Sequence, residues 1–102
     1  MFVVVYEFTV KVGAEEKFRE AWLTVTKAIF EELGSYGSRL HRSNKENQFI
    51  AYAQWPSRET WQKNSTLKNQ LAEKARQDMR ECLESMEVAY ELDVCDDYLK
   101  TP

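Results

Sequence analysis

The sequence predicts an α+β domain with the element order βαββαβ, its strands forming one antiparallel four-stranded sheet. Three observations carry this. Extended apolar runs open and close the chain, two stripes of apolar residues at three- and four-residue spacing lie between them, and a short polar turn joins two further extended runs near the middle. With 102 residues there is room for one hydrophobic core and not for two. The expected organisation is therefore a single domain over residues 1–96 followed by a tail, 97–102.

Met1 to Val10 is rich in β-branched and aromatic residues and almost continuously apolar, as a central strand covered on both faces should be. Tyr6 shares one side of its pleat with Phe2, Val4, Phe8 and Val10, while Glu7 falls on the other side with Val3, Val5 and Thr9. Gly13 breaks the strand, and Glu15 and Glu16 suit the positive end of a helix dipole. Phe18, Ala21, Trp22, Val25, Ala28, Ile29 and Leu33 then mark one face of a helix that Gly34 stops. Leu23 and Phe30 widen that face beyond what one sheet contact requires.

Ser35 to Ser43 and Gln48 to Trp55 read as paired strands across the turn Asn44 to Asn47. The first, with Arg39, His41 and Arg42, has the charges of an edge strand, and the second, with Phe49, Ile50, Tyr52 and Trp55, reads as interior. Ser57 offers a cap for a short helix through Trp61, and Asn64 and Ser65 interrupt it. The stripe Leu67, Leu71, Ala72, Ala75, Met79, Cys82, Leu83 and Met86 predicts a long second helix. Val88, Tyr90, Leu92 and Val94 alternate with polar residues and predict a last strand with one apolar side.

Composition narrows the function classes. A net charge of −3 argues against a diffuse positive field for nucleic acid or acidic membranes, and no apolar run approaches the roughly 20 residues of a membrane-spanning helix. The default address is the cytoplasm. Cys82 and Cys95 read as packed thiols, not a disulfide, and one histidine with two distant cysteines makes no familiar metal site. No phosphate loop, dinucleotide fingerprint or nucleophile elbow is present. RNA-recognition modules share the βαββαβ order, but the third strand lacks their basic-glycine opening and has Ala51 where a second stacking ring belongs.

The element order is ferredoxin-like. Gly13 before an acidic helix start, Gly37 with Leu40 and Arg42, and Trp55-Pro56-Ser57 leading into Glu59 and Trp61 together resemble the antibiotic biosynthesis monooxygenase domain of the dimeric α/β barrel group. The resemblance implies a homodimer closed sheet to sheet, a ligand pocket between each sheet and its helices, and cofactor-independent oxygenation of a small aromatic or polyketide-type molecule. It also implies where the chain departs. Haem-degrading members carry an asparagine in the first strand, a tryptophan after the third and a histidine on the long helix, where this sequence has Tyr6, Asn64 and Lys74. Many other relatives have a histidine where Asn64 falls.

Oxygenation without a cofactor needs a pocket for an aromatic ring, a group that takes a proton and a charge that holds the resulting anion. His41, whose side-chain type titrates near neutrality, is the candidate base, and Arg39 on the same strand face is the candidate anion holder; solvated edge charges are the alternative for both. Tyr6 and Tyr52, expected in neighbouring strands, Trp61 and Asn64 are the candidate substrate-binding residues, with ordinary core packing as the alternative for the aromatics. Glu7 is either a base raised by burial or the partner of an arginine across a dimer. No metal or other cofactor is called for. Alongside the enzyme stands a homodimer that binds a small apolar molecule or serves as an accessory subunit without chemistry.

Overall fold

A computed structural model describes residues 1–63 and 66–99. The elements run β1 (Phe2–Val10), α1 (Glu15–Glu32), β2 (Gly37–Arg42), β3 (Gln48–Trp55), α2 (Arg58–Gln62), α3 (Gln70–Glu81) and β4 (Leu83–Asp93). All strands pair antiparallel in one sheet of order β2-β3-β1-β4, the ferredoxin-like arrangement, with the continuously apolar β1 inside and the charged β2 at an edge. The helices pack against one sheet face.

Register assigns side chains to faces. Phe2, Val4, Tyr6 and Phe8 lie opposite Trp55, Ala53, Ala51 and Phe49 on β3, and this set meets the helices. Phe18, wholly buried, sits between Phe8 and Phe49 with ring centroids 5.2 and 5.5 Å away. Further along, Ala21, Val25 and Ala28 of α1 meet Ala72 and Ala75 of α3, with Leu67 beside them. Small residues on both sides let the two helices approach closely while both still reach the sheet.

Local chemistry sets the helix ends. Gly34, just past α1, takes φ +81°, the left-handed region that a residue with a Cβ enters only under strain. The Asn69 side chain accepts the Ala72 N–H at 3.2 Å at the start of α3, and Ser57 caps α2 by accepting from Thr60 N at 3.2 Å.

Two expectations for the last third of the chain are corrected. The long helix stops at Glu81, and Leu83 and Met86, read as part of its stripe, belong to β4. The cause is tertiary pairing. The Cys82 carbonyl accepts Lys11 N at 2.8 Å, and Leu83 then pairs with Val10, so the growing sheet takes over the backbone as soon as the helix reaches the end of β1. Nor is β4 apolar on one side throughout. Val5 pairs with Tyr90 but Tyr6 pairs with Val88, which leaves Ala89 as an extra residue and sends Tyr90 and Leu92 to the opposite face from Val88 and Met86. Cys82 is buried as expected, whereas Cys95, beyond the end of β4, is exposed; both are free thiols.

The sheet face away from the helices carries Arg39 and His41 on β2, Ile50 and Tyr52 on β3, Val5 and Glu7 on β1, and Glu87 and Tyr90 on β4. Tyr90 is 62% exposed and Leu92 42%. That is a large apolar area for a protein to leave in water.

Candidate functional site

A cavity of about 210 Å³ opens between the sheet and the helices. Its floor is Tyr6 and Phe8 of β1 with Ala51, Ala53 and Trp55 of β3, and the two alanines supply the space that larger residues would fill. Helix α1 contributes Trp22, Val25 and Ile29, and α3 contributes Arg76, Met79 and Arg80. Trp61 of α2 closes one end. Its indole Nε1–H donates to the Tyr6 hydroxyl at 2.8 Å, and its ring lies 5.6 Å from that of Phe2.

The polar groups of this cavity are mostly donors. Tyr6 O already accepts from Trp61, so its own proton is available. Burial pushes the Tyr6 phenol above its ordinary value of 10.0; the Trp61 hydrogen bond opposes this and the nearby Glu91 carboxylate reinforces it. Trp55 Nε1–H is buried and has no hydrogen-bond partner among the described residues, although a buried donor left unpaired costs about 1–3 kcal/mol. Arg76 is half-buried and leans on Glu73 at 3.3 Å, whereas Arg80 forms no ion pair among the described residues. Ser35 and Ser38 spend their hydroxyl protons on the carbonyls of Gln54 and Tyr52. No carboxylate or imidazole lines the cavity among the described residues. The arrangement suits a flat apolar body whose edge oxygens accept hydrogen bonds or bear negative charge.

The residues singled out from the sequence divide between the two sheet faces. Tyr6 and Trp61 meet in the cavity. Tyr52 does not join them, because it pairs with Val5 while Tyr6 pairs with Ala51, and one step of register puts the two phenols on opposite faces. Arg39 pairs with Tyr52 and His41 with Ile50, so both also face away from the helices. His41 Nδ1 donates to the Ile50 carbonyl at 3.0 Å, which holds the ring against its own sheet. There Arg39, His41 and Tyr52 rim a shallow depression with Tyr36 and Leu99. Asn64 lies outside the described residues. Trp55, Arg76, Met79 and Arg80 were not foreseen as site residues. The arginines had one legible sign, since they flank the apolar stripe of α3 one helical turn apart.

The sequence model of the family described as antibiotic biosynthesis monooxygenase matches residues 1–69, most of the chain. The chain belongs to the antibiotic biosynthesis monooxygenase family. Solved structures agree on the fold. SnoaB, a cofactor-independent oxygenase from Streptomyces nogalater, superposes with a TM-score of 0.74 at 18% identity, covering 97% of each chain. A family member from Deinococcus radiodurans gives a TM-score of 0.74 at 9% identity over 100% of both chains, and one from Caulobacter crescentus CB15 gives 0.74 at 17% identity over 93% of this chain and 90% of its own. No curated protein is similar enough to match. Lys74 of α3, where the resemblance implies that haem-degrading members have a histidine, is exposed and does not line the cavity. Among the described residues no helix is long and apolar enough to cross a membrane, and no three His, Cys, Asp or Glu side chains gather as metal ligands.

The Tyr6 phenol gives a pH prediction. The folded chain holds this proton more tightly than the unfolded chain, so the stabilisation is complete below about pH 10 and is lost as pH rises through the raised folded value. Unfolding free energies measured across that range should fall more steeply for the native chain than for Tyr6→Phe. In an ultraviolet titration, Tyr6 should be the last phenolate to form.

Proposed function

We propose that this family member is a cofactor-independent monooxygenase acting on a small aromatic or polyketide-type substrate, and that it works as a homodimer through the exposed sheet face. The observation that carries the reading is an apolar cavity between sheet and helices, lined by the rings of Trp22, Trp55 and Trp61, whose polar side chains include the Tyr6 hydroxyl, Arg76 and Arg80. A ring bearing hydroxyl and keto oxygens would accept from the Tyr6 hydroxyl, and the two guanidinium groups would stabilise its enolate or phenolate. The anion is the electron-rich species that dioxygen attacks. At an activated ring CH₂, one oxygen atom becomes the new C=O and the other leaves as water with the two hydrogens; the substrate supplies all four electrons. The protein's part is to bind the ring, hold the anion and exclude water.

This assigns the chemistry to the cavity. His41 and Arg39 serve it only if substrate or partner bridges the sheet. Purified protein should accelerate dioxygen uptake by a panel of hydroxylated anthrones and naphthoquinols, with one atom from labelled dioxygen in each product. Uptake no faster than without protein, across the panel, would overturn the reading. A second reading, a ligand-binding or accessory homodimer, is favoured by the absence of any carboxylate or imidazole among the described cavity residues. Saturable quenching of tryptophan fluorescence by the same compounds, without turnover, would select it.

A further inference from the structure

The cavity is open on the side of β4. Met86 and Val88 stand on the helix side of that strand, opposite Phe8 and Tyr6, yet they are 51% and 44% exposed, so the helices leave them half in water. At one end of this opening stands α2, five residues of which none is buried. So short a helix has little stability of its own. Among the described residues two side-chain hydrogen bonds tie it to the sheet, one from Trp61 Nε1–H to the Tyr6 hydroxyl at 2.8 Å and one from the Arg58 guanidinium to the Glu91 carboxylate. Both residues also rest on Phe2. The Trp61 and Phe2 ring centroids are 5.6 Å apart, and the central carbon of the Arg58 guanidinium lies 4.6 Å from the Phe2 centroid. Glu91 reaches Arg58 because, past the extra residue Ala89, it pairs with Val4 and so returns to the helix side.

We propose that Arg58 and Glu91 are positioning residues, whose ion pair holds α2 on the sheet so that Trp61 keeps the Tyr6 phenol turned with its proton toward the cavity. This rests on the reading of the cavity as a ring-binding site and names what orients its donor. A phenol has one proton, which swings about the C–O bond. While Trp61 donates to the Tyr6 oxygen, that proton cannot point at Trp61 and is left for an acceptor inside. With α2 released, water reaches the phenol through the open side, and the hydroxyl then serves donors and acceptors alike. The Arg58 guanidinium makes an ion pair and a contact with an aromatic face together, which suits its flat shape better than an ammonium. Neither Arg58 nor Glu91 lines the cavity, so their effect on a bound ring passes through Trp61 and Tyr6.

Hydrogen exchange at the tryptophan indole N–H groups of the unliganded full chain reads this latch, the Trp61 signal being the one that Trp61→Phe removes. Arg58→Ala should speed exchange at Trp61 at least about fivefold and Glu91→Gln about two- to fivefold, with the buried Trp55 N–H unchanged. Arg58→Lys, which keeps the charge without the flat face, should fall between the native chain and Arg58→Ala. Arg58→Glu should be faster still, since it sets two carboxylates together, and adding Glu91→Arg should reverse that loss. The single variants should also release a bound hydroxynaphthoquinone enolate faster by a similar factor, read by tryptophan fluorescence in stopped flow. Exchange at Trp61 that neither Arg58→Ala nor Glu91→Gln changes, that rises equally at Trp55, or that the swapped pair leaves fast overturns the latch. Faster exchange with unchanged release overturns its positioning role. A native chain that does not bind the enolate refutes the ring-binding reading instead, and the exchange rates still decide the latch.

Discussion

Replacing Phe18 by alanine is expected to lower the unfolding free energy by about 3–5 kcal/mol, the usual cost of truncating a buried aromatic. The position admits no relief. Phe18 is wholly buried between Phe8 and Phe49, and the backbones on either side belong to a helix and a sheet that cannot both move inward. Domains of this size are stable by about 5–15 kcal/mol, so the variant stands near the limit of folding at all. Urea unfolding gives the number. Phe18→Leu, which keeps much of the volume, should lose substantially less, and equal losses for both would show that the ring contacts are not what holds this end of the core.

Trp55→Phe is expected to separate function from stability. The ring pairs with β1 opposite Phe2 and is 6% exposed, so a smaller aromatic keeps the packing in outline. Losing the unpaired N–H removes a penalty of about 1–3 kcal/mol, and losing part of the indole returns much of it, so the unfolding free energy should change by less than about 1.5 kcal/mol. If the donor serves a substrate oxygen, however, kcat/KM should fall about a hundredfold, the low end of what one oriented donor contributes where negative charge develops. Under the ligand-binding reading the same change should weaken binding about tenfold. A variant with native turnover and affinity would mark Trp55 Nε1 as a packing defect.

The fold was legible because its signals are periodic. β1 is apolar on both sides, α1 carries an unbroken stripe, and the β2–β3 turn is polar, so the element order and the antiparallel hairpin follow directly. The junction of α3 and β4 was not, because Cys82, Leu83 and Met86 keep helical spacing, and only a register irregularity between Thr9 and Val10 brings Leu83 and Met86 to one face of the strand. The bond from Lys11 N to the Cys82 carbonyl decides between helix and strand, and that contact spans most of the chain.

For the site, Tyr6 and Trp61 were legible as aromatics of the right elements. Their separation from Tyr52, Arg39 and His41 was not, since a difference of one residue in pairing decides which face a strand residue serves. The cavity's donors on α3 were hidden for another reason. Arginines beside an apolar stripe look like solvated charges until the sheet opposite them proves to carry Ala51 and Ala53 instead of larger groups.

The last strand serves two masters, on either side of the additional residue Ala89. Substitutions at Met86 alter what the hollow under the helices will admit, and substitutions at Tyr90 or Leu92 alter what the naked side will lie against, with a single peptide kink insulating one set from the other. Descendants of this chain are free to change diet without changing company. Deleting Ala89 would leave that division intact, since Tyr90 would then follow Val88 in plain alternation and still pair with Val5.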